Sequence, residues 1–475
     1  MAARRPALRV LILAAGQGKR LRSKTIKLLH GVAGRPMVAH VLDAVRALAP
    51  VETLAVVGHD ADRVRAALAG SGCAFVLQRQ QRGTGHAVLQ AASRLRRRGP
   101  GVLLIVNGDL PALRSETLAR LVDRHTRTRA ALTLLSVELD DPAGYGRIVR
   151  DGDGRIARIV EDRDASAAER RIAEINCGIY CAEPAALLRA LSRVRPANAQ
   201  GEYYLTDAVR ELLRGGASVE AVLHDGEAAD VLGVNTREEL ARANAALYAR
   251  KARALMEQGV TLLDPGRTWI DPRARVGRDT VLYPDVLIEG PCSIGEDCVI
   301  RSGTRLTDVV IGNGVEILEH CVARDSRIGD GARLGPFAHL RPESWLEAGS
   351  KVGNFVELKK TRLGRGSKAN HLTYLGDATI GPDCNIGAGT ITCNYDGTRK
   401  FQTRLGRGVF IGSDTQIVAP LRVGDGAYVA AGTTLVENVP RGALAIGRAK
   451  QANVAGWVAR RRRAQSSPPS KSRKR

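Results

Sequence analysis

Ser326-Arg327-Ile328-Gly329-Asp330-Gly331-Ala332-Arg333-Leu334-Gly335-Pro336-Phe337-Ala338-His339-Leu340 places an aliphatic residue at every sixth position. The series continues through Leu346, Val352 and Leu358. The same step runs through Leu405, Ile411, Ile417, Val423, Val429 and Leu435, and earlier through Ile270, Val276, Leu282, Ile288, Ile294, Ile300 and Leu306. Helices do not produce a period of six, whereas a coil of three short strands does, because each strand and its bend consume six residues. The aliphatic side chains then point inward and stack in ladders from coil to coil, about 4.8 Å apart. A Gly often follows, as at Gly295, Gly329, Gly335, Gly412 and Gly424, where it is expected to adopt bend angles that a Cβ forbids. Cys292, Cys298 and Cys384, two residues before an aliphatic one, suit tight inner corners. The region from about Ile270 to Leu435 is therefore expected to be a parallel β-helix of hexapeptide repeats, with the register broken once, by the loop 393–403.

A chain of 475 residues needs more than this one core, and about 235 residues precede the repeat. Leu8–Ala14 reads as a buried strand, followed by a Gly-rich basic loop. Strands are expected at Thr53–Val57, Cys73–Leu77, Val102–Val106, Leu132–Val137 and Ile175–Cys181, with a hairpin-like stretch around Gly146–Val160. Helices are expected from Pro36, with Pro at the first helical position, over Ala61–Ala69, Gly85–Arg97 and Leu205–Leu213. This alternation predicts an α/β, Rossmann-like domain with a mainly parallel sheet. The boundaries expected are 1–235 for this domain, 236–259 for a linking helix, 260–457 for the β-helix and 458–475 for a disordered basic tail.

The formal charge is +23, and Arg460–Arg475 carries eight Lys and Arg and no acid. Such charge suits anionic small substrates as well as nucleic acid. No nucleic-acid module is visible, and aromatics are only 4% of the chain, so no specific nucleic-acid partner is expected. The eight Cys show no metal-site spacing and read as buried hydrophobes of a reducing compartment. With no apolar run long enough to span a membrane and no signal-like start, a cytoplasmic protein is expected.

Three stretches carry chemistry. Leu13-Ala14-Ala15-Gly16-Gln17-Gly18-Lys19-Arg20, with Lys27 beyond it, lets backbone N–H groups approach phosphates that Arg20 and Lys27 would neutralise. A plain turn has the same look. Leu21 stands where a dinucleotide fingerprint needs Gly, and Arg20 where a Walker loop needs Ser or Thr. Asn107-Gly108-Asp109 closes a strand at the end where α/β sheets bind ligands; Asp109 is either a local backbone cap or a ligand for Mg²⁺. Gln78 and Gln80-Gln81-Arg82-Gly83-Thr84 supply amides and a hydroxyl able to read a base.

These stretches resemble the nucleoside-diphosphate-sugar pyrophosphorylases. With the repeats behind them, Leu8–Trp457 resembles the bacterial bifunctional N-acetylglucosamine-1-phosphate uridyltransferase/glucosamine-1-phosphate acetyltransferase family. Asp141–Arg147, Glu174–Gly178, Gln200–Asp207, Gly353–Lys360, His371–Asp377 and Asn385–Gly397 carry the same likeness.

The resemblance implies a left-handed coil, a homotrimer, and Mg²⁺ with acetyl-CoA and UTP as co-substrates. It implies acetylation of glucosamine-1-phosphate, then uridylyl transfer from UTP to N-acetylglucosamine-1-phosphate. Leu13, Ala14, Ala15, Gly16, Arg20, Lys27, Gln78, Gly83, Thr84, Asn107, Gly108 and Asp109 would hold the nucleotide. Gly146, Glu161, Asn176 and Asn235 would contact the sugar nucleotide, with Asp109 and Asn235 on the metal. Arg341, Lys359, Tyr374 and Asn385 would bind the amino sugar phosphate; Ala388, Asn394, Tyr395, Ser413, Ala431 and Arg448 would hold acetyl-CoA; His371 would be the base. The family usually has Tyr at Asn107 and Thr at Cys177, so sugar affinity is where this chain departs. Cations near His371 would disfavour its protonated ring and keep the base available.

Overall fold

The computed structural model describes residues 6–16, 18–97 and 99–466. Two compact units emerge: the chain up to Glu257 with Thr268–Arg273, and Gln258–Arg267 with everything from Ala274.

The first unit is built on one sheet in the order Val219–Leu223, Leu132–Glu138, Glu174–Ala182, Val102–Asn107, Leu8–Ala14, Glu52–Val57, Ala74–Leu77. Leu8–Ala14 lies in the middle, parallel to both Glu52–Val57 and Val102–Asn107. Its run of aliphatic residues is buried on both faces, as a doubly covered parallel strand requires. Chain order reverses about this strand, so the loops leaving Ala14 and Asn107 open a crevice at adjacent carboxyl ends. Glu174–Ala182 runs antiparallel to both its neighbours, so the sheet is mixed. Its register shifts between Asn176 and Tyr180, and Arg147–Arg150 with Ile156–Val160 forms the expected hairpin beside it.

Several boundaries differ from the expectation. Pro36 precedes the helix Met37–Arg46 instead of opening it, and the helix expected over Gly85–Arg97 is two, Thr84–Gln90 and Ala92–Arg97. Ser115–Thr128, Pro184–Leu191 and Val219–Leu223 had no counterpart in the sequence reading. The helix Arg237–Glu257 does not stand free as a link: Ala243 and Leu247 lie in the core of the first unit, with Leu240 and Tyr248 packed against it.

The second unit is a parallel β-helix with strands of two to four residues on three faces. Each inward position stacks on its equivalent one coil away, as in Leu334 on Val352 and Leu340 on Leu358. The register breaks more often than once. The step shortens to five at Leu306–Ile311, Ala323–Ile328, Leu358–Leu363 and Leu375–Ile380, always at the same corner. There Asp308, Asp325, Lys360 and Asp377 take positive φ. Most of the glycines after the aliphatic residues serve a different purpose from the one expected. Of Gly295, Gly329, Gly335, Gly412 and Gly424, only Gly335 has positive φ. A Cβ on Gly329 would lie 2.7 Å from the backbone N of Ala348, and one on Gly412 2.5 Å from that of Ala431. Gly335 thus fits the expectation, and the other four clear the next coil.

The tail expected to be disordered from 458 is helical over Trp457–Ser466. Arg461 lies over the Trp457 ring there. Residues 467–475 fall outside those described.

Candidate functional site

Two adjoining cavities of about 630 and 330 Å³ open at the crevice of the first unit, and Leu13, Thr84, Asn107 and Asp109 line both. Ala15, Gly16, Lys27, Gln78 and Gly83 line the larger one. Arg20, Gly146, Glu161, Asn176 and Asn235 line the smaller. Ala14 and Gly108 lie behind the wall: Ala14 is a buried strand end, and the Gly108 N–H donates to the Leu13 carbonyl. Gln80 lines neither cavity, whereas Gln81 does.

Local structure aims each group. Gly18 has a φ of 65°, and a Cβ there would fall 2.4 Å from Lys27 Cβ, so only Gly lets the loop close over Lys27. The buried Lys27 ammonium pairs with Asp109 and donates to Asn235 Oδ1 at 2.7 Å. Asn235 is held by a capping box: its own N–H and that of Thr236 donate to Glu239, and the Glu239 N–H donates to Thr236 Oγ1. Gln78 Nε2 donates to the Gly83 carbonyl at 3.1 Å, and Thr84 Oγ1 accepts from the Leu205 N–H at 3.0 Å.

In the smaller cavity, the Asn176 amide donates to the Tyr180 hydroxyl at 2.6 Å, an arrangement created by the register shift between them. Burial pushes the Cys177 thiol up, so it is an inert wall there. Burial also pushes the Glu161 carboxyl up, opposed by a hydrogen bond from Thr206. The Asn107 amide lies against Gly178, between the two cavities.

Asp109 Oδ1 is buried without a hydrogen-bond partner, while Oδ2 meets Lys27. An oxygen pair from Asp109 and Asn235 facing a phosphate-sized cleft suits Mg²⁺, which keeps few protein ligands and completes its shell with water and phosphates. Among the described residues no cluster of three or more His, Cys, Asp or Glu forms a self-sufficient metal cage.

In the second unit, His371 ends the strand Lys368–His371, paired with Lys351–Asn354. His371 Nδ1 lies 2.8 Å from Asn354 Oδ1. With that oxygen accepting, the proton sits on Nδ1 and Nε2 keeps its lone pair. Arg341, Lys359 and Tyr374 belong to the next face, where Glu357–Lys359 pairs with Tyr374–Gly376 and Arg341 bonds to Glu357 at 2.8 Å. Asn385 is on the His371 face, paired with Lys368. Tyr374 opens that next face, whereas Arg341 and Lys359 lie at its far end and Asn385 at the start of its own face, away from the corner that follows His371.

Above that corner the expected acyl-donor residues form a column. The Gly389 N–H donates to Leu372, that of Asp414 to the Ala388 carbonyl, and that of Gly432 to the Ser413 carbonyl. The Ala431 carbonyl accepts from Arg448 at 2.7 Å. Asn394 bonds to Asp377, and Tyr395 bridges to Lys400 across the inserted loop. Lys400 is a residue the sequence reading passed over. The close Lys400 amine holds the Lys359 ammonium below the usual lysine range, with Asp377 opposing. Two amines together, with Arg341 near, make a place for an anion. Gln200, Glu202, Tyr180 and Thr206 in the first unit were also missed, although Gln200–Asp207 had been noticed as a motif.

A phosphate-loop α/β unit followed by a hexapeptide coil with a histidine at its corner defines a nucleotidyltransferase joined to an acyltransferase. Residues 10–261 match the MobA-like NTP transferase domain family. The bifunctional protein GlmU of Geobacillus sp. (strain WCH70) is 48% identical over 450 residues, 95% of this chain and 97% of the relative. That of Anaeromyxobacter sp. (strain Fw109-5) is 50% identical over 459 residues, 96% of this chain and 93% of the relative. The chain belongs to the GlmU family.

Proposed function

We propose that this bifunctional enzyme acetylates glucosamine-1-phosphate with acetyl-CoA in its second unit and transfers UMP from UTP to the product in its first, releasing pyrophosphate. The observation that carries the reading is the convergence of Lys27, Asp109 and Asn235 beside two joined cavities, which we assign to the nucleotide and the sugar.

For uridylyl transfer, Gln78, Gly83 and Thr84 bind the base, and Gly146, Glu161 and Asn176 bind the acetylated sugar. Its phosphate oxygen attacks the α-phosphorus of UTP in line, and the bond to pyrophosphate breaks. Lys27 and Arg20 neutralise the charge that moves. Asp109 and Asn235 would hold Mg²⁺. The ion, when bound, lowers the charge on the triphosphate.

For acetyl transfer, Arg341, Lys359 and Tyr374, joined by Lys400, take the sugar phosphate, while Asn385 faces the sugar. The amine attacks the thioester carbonyl, thiolate leaves, and His371 Nε2 accepts the amine proton. The column Ala388, Ser413 and Ala431, with Asn394, Tyr395 and Arg448, supports an extended pantetheine, because its rungs repeat at about 4.8 Å. A homotrimer that brings such corners of separate chains together fits the exposed Phe337, Phe355 and Leu372 beside His371. Cysteines free of disulfides fit a cytoplasmic setting. No described helix is long and apolar enough to cross a membrane.

The test is to incubate the purified chain with glucosamine-1-phosphate, acetyl-CoA, UTP and Mg²⁺, omitting each in turn. Nucleotide sugar should form only with all four. Formation without acetyl-CoA would overturn the order of the reactions.

A further inference from the structure

Thr206 immediately precedes the helix Asp207–Arg214. Its side chain bonds no backbone N–H of that helix. Its hydroxyl instead donates to Glu161 Oε1 at 2.9 Å. Thr206 is 5% exposed, and both residues line the smaller cavity. Thr206 has helical φ and ψ (−63°, −29°), outside the extended geometry of a capping residue, so its hydroxyl is directed to Glu161 and ties one of its oxygens.

We propose that Thr206 is a positioning residue for uridylyl transfer: its hydroxyl fixes the Glu161 carboxylate as the acceptor for a hydroxyl of the incoming sugar phosphate. The inference rests on the assignment of Glu161 to the sugar. Glu161 Oε2 faces Gly146, whose missing side chain leaves room beside it: a Cβ would sit 3.3 Å from that oxygen. The segment that carries Thr206 is anchored independently, since Leu205 N–H donates to Thr84 and Gly85 N–H to the Tyr203 carbonyl. The hydroxyl is thus delivered to Glu161 by a strap tied to the nucleotide cavity.

The surroundings make the bond necessary. Burial pushes the Glu161 carboxyl up, and Asp207, Asp164 and Asp162 push the same way; Thr206 opposes them. Tyr180 and Tyr204 also face it, and Arg20 lines the same cavity. Loss of the hydroxyl lets the carboxyl rise further. It then binds a proton at higher pH and ceases to be an acceptor.

The experiment compares Thr206→Val, Thr206→Ser and Glu161→Gln in the full chain, following uridylyl transfer with N-acetylglucosamine-1-phosphate as the varied substrate. Thr206→Val should lower kcat/KM for the sugar phosphate about 10-fold near neutral pH. KM for UTP should stay at the parental value, and the acid limb of the kcat/KM profile should move to higher pH. Thr206→Ser should restore both. Thr206→Ala repeats the comparison without the added methyl if the valine variant does not fold. A parental limb and sugar KM in Thr206→Val beside an impaired Glu161→Gln would overturn the inference and leave Glu161 in place. Equal damage in the valine and serine variants, with lowered Tm and an unmoved limb, would also overturn it. Parental behaviour of Glu161→Gln would remove the Glu161 assignment and the inference together.

Discussion

The Asn354–His371 pair offers the sharpest test of the acetyl-transfer site. The histidine must accept the amine proton on Nε2, and the 2.8 Å bond from Nδ1 to Asn354 Oδ1 holds the ring in the tautomer that allows it. Removing the base and removing its support should therefore differ in size. His371→Ala should lower acetyl transfer by about 10²-fold or more, the share general-base catalysis supplies. Asn354→Ala removes one hydrogen bond between uncharged groups, from an exposed imidazole to a half-buried amide, worth about 1 kcal/mol. That corresponds to roughly a five-fold loss of rate. The double variant should be no slower than His371→Ala alone, because Asn354 acts only through the ring. Asn354→Asp sets a carboxylate against Nδ1 and favours the imidazolium, so its acetyl transfer should fall at neutral pH and recover as pH rises. Release of the CoA thiol at saturating substrates measures each rate, with uridylyl transfer by the same chain as the control. Near-parental acetylation by His371→Ala would refute the general-base role. A multiplicative loss in the double variant would refute the claim that Asn354 works through the histidine.

Asp109→Ala strips Lys27 of its charged partner in a mostly buried setting; uridylyl transfer should fall by at least about 10²-fold and acetyl transfer persist. The same change should cost the first unit about 3 kcal/mol in denaturant unfolding. Lys400→Ala removes one cation from the Lys359 cluster and should raise KM for glucosamine-1-phosphate roughly 10-fold with little change in kcat, measured by initial rates. Gly353→Ala brings a Cβ to 1.9 Å from the Asn370 carbonyl oxygen, a backbone atom of the His371 strand itself. It should destabilise the coil by about 2 kcal/mol or more and depress acetyl transfer, seen as a lower melting temperature and rate.

How much could be read beforehand follows from what each signal depends on. The hexapeptide period survives because every inward aliphatic residue repeats the same contact, so even its position on each face was visible. The five-residue steps were hidden, because no residue type marks them: positive φ also occurs at that corner in six-residue steps, at Gly290 and Glu343. Most of the bend glycines were noticed for the wrong reason, since clearance between coils is a property of the neighbour one coil away. In the first unit, Lys27, Asp109 and Gly83 stood out because phosphate and metal chemistry restricts residue type. Ser115–Thr128 escaped notice because its buried face is carried by only Thr117, Leu118, Leu121 and His125 among charged residues. Lys400 and Thr206 could not be singled out, because their roles arise from partners at Lys359 and Glu161, 41 and 45 positions away.

The helix Arg237–Glu257 bears on how such a protein can be taken apart and recombined. Its apolar side, with Leu240, Ala243, Leu247 and Tyr248, completes the core of the first unit. A fragment ended at Asn235 would leave that core open to water and prone to aggregate, whereas one carried through Arg273 keeps the helix and the short segment Thr268–Arg273 grouped with it. Exchange of catalytic modules between relatives, in the laboratory or by recombination of genes, should therefore succeed with junctions after this helix and fail with junctions before it.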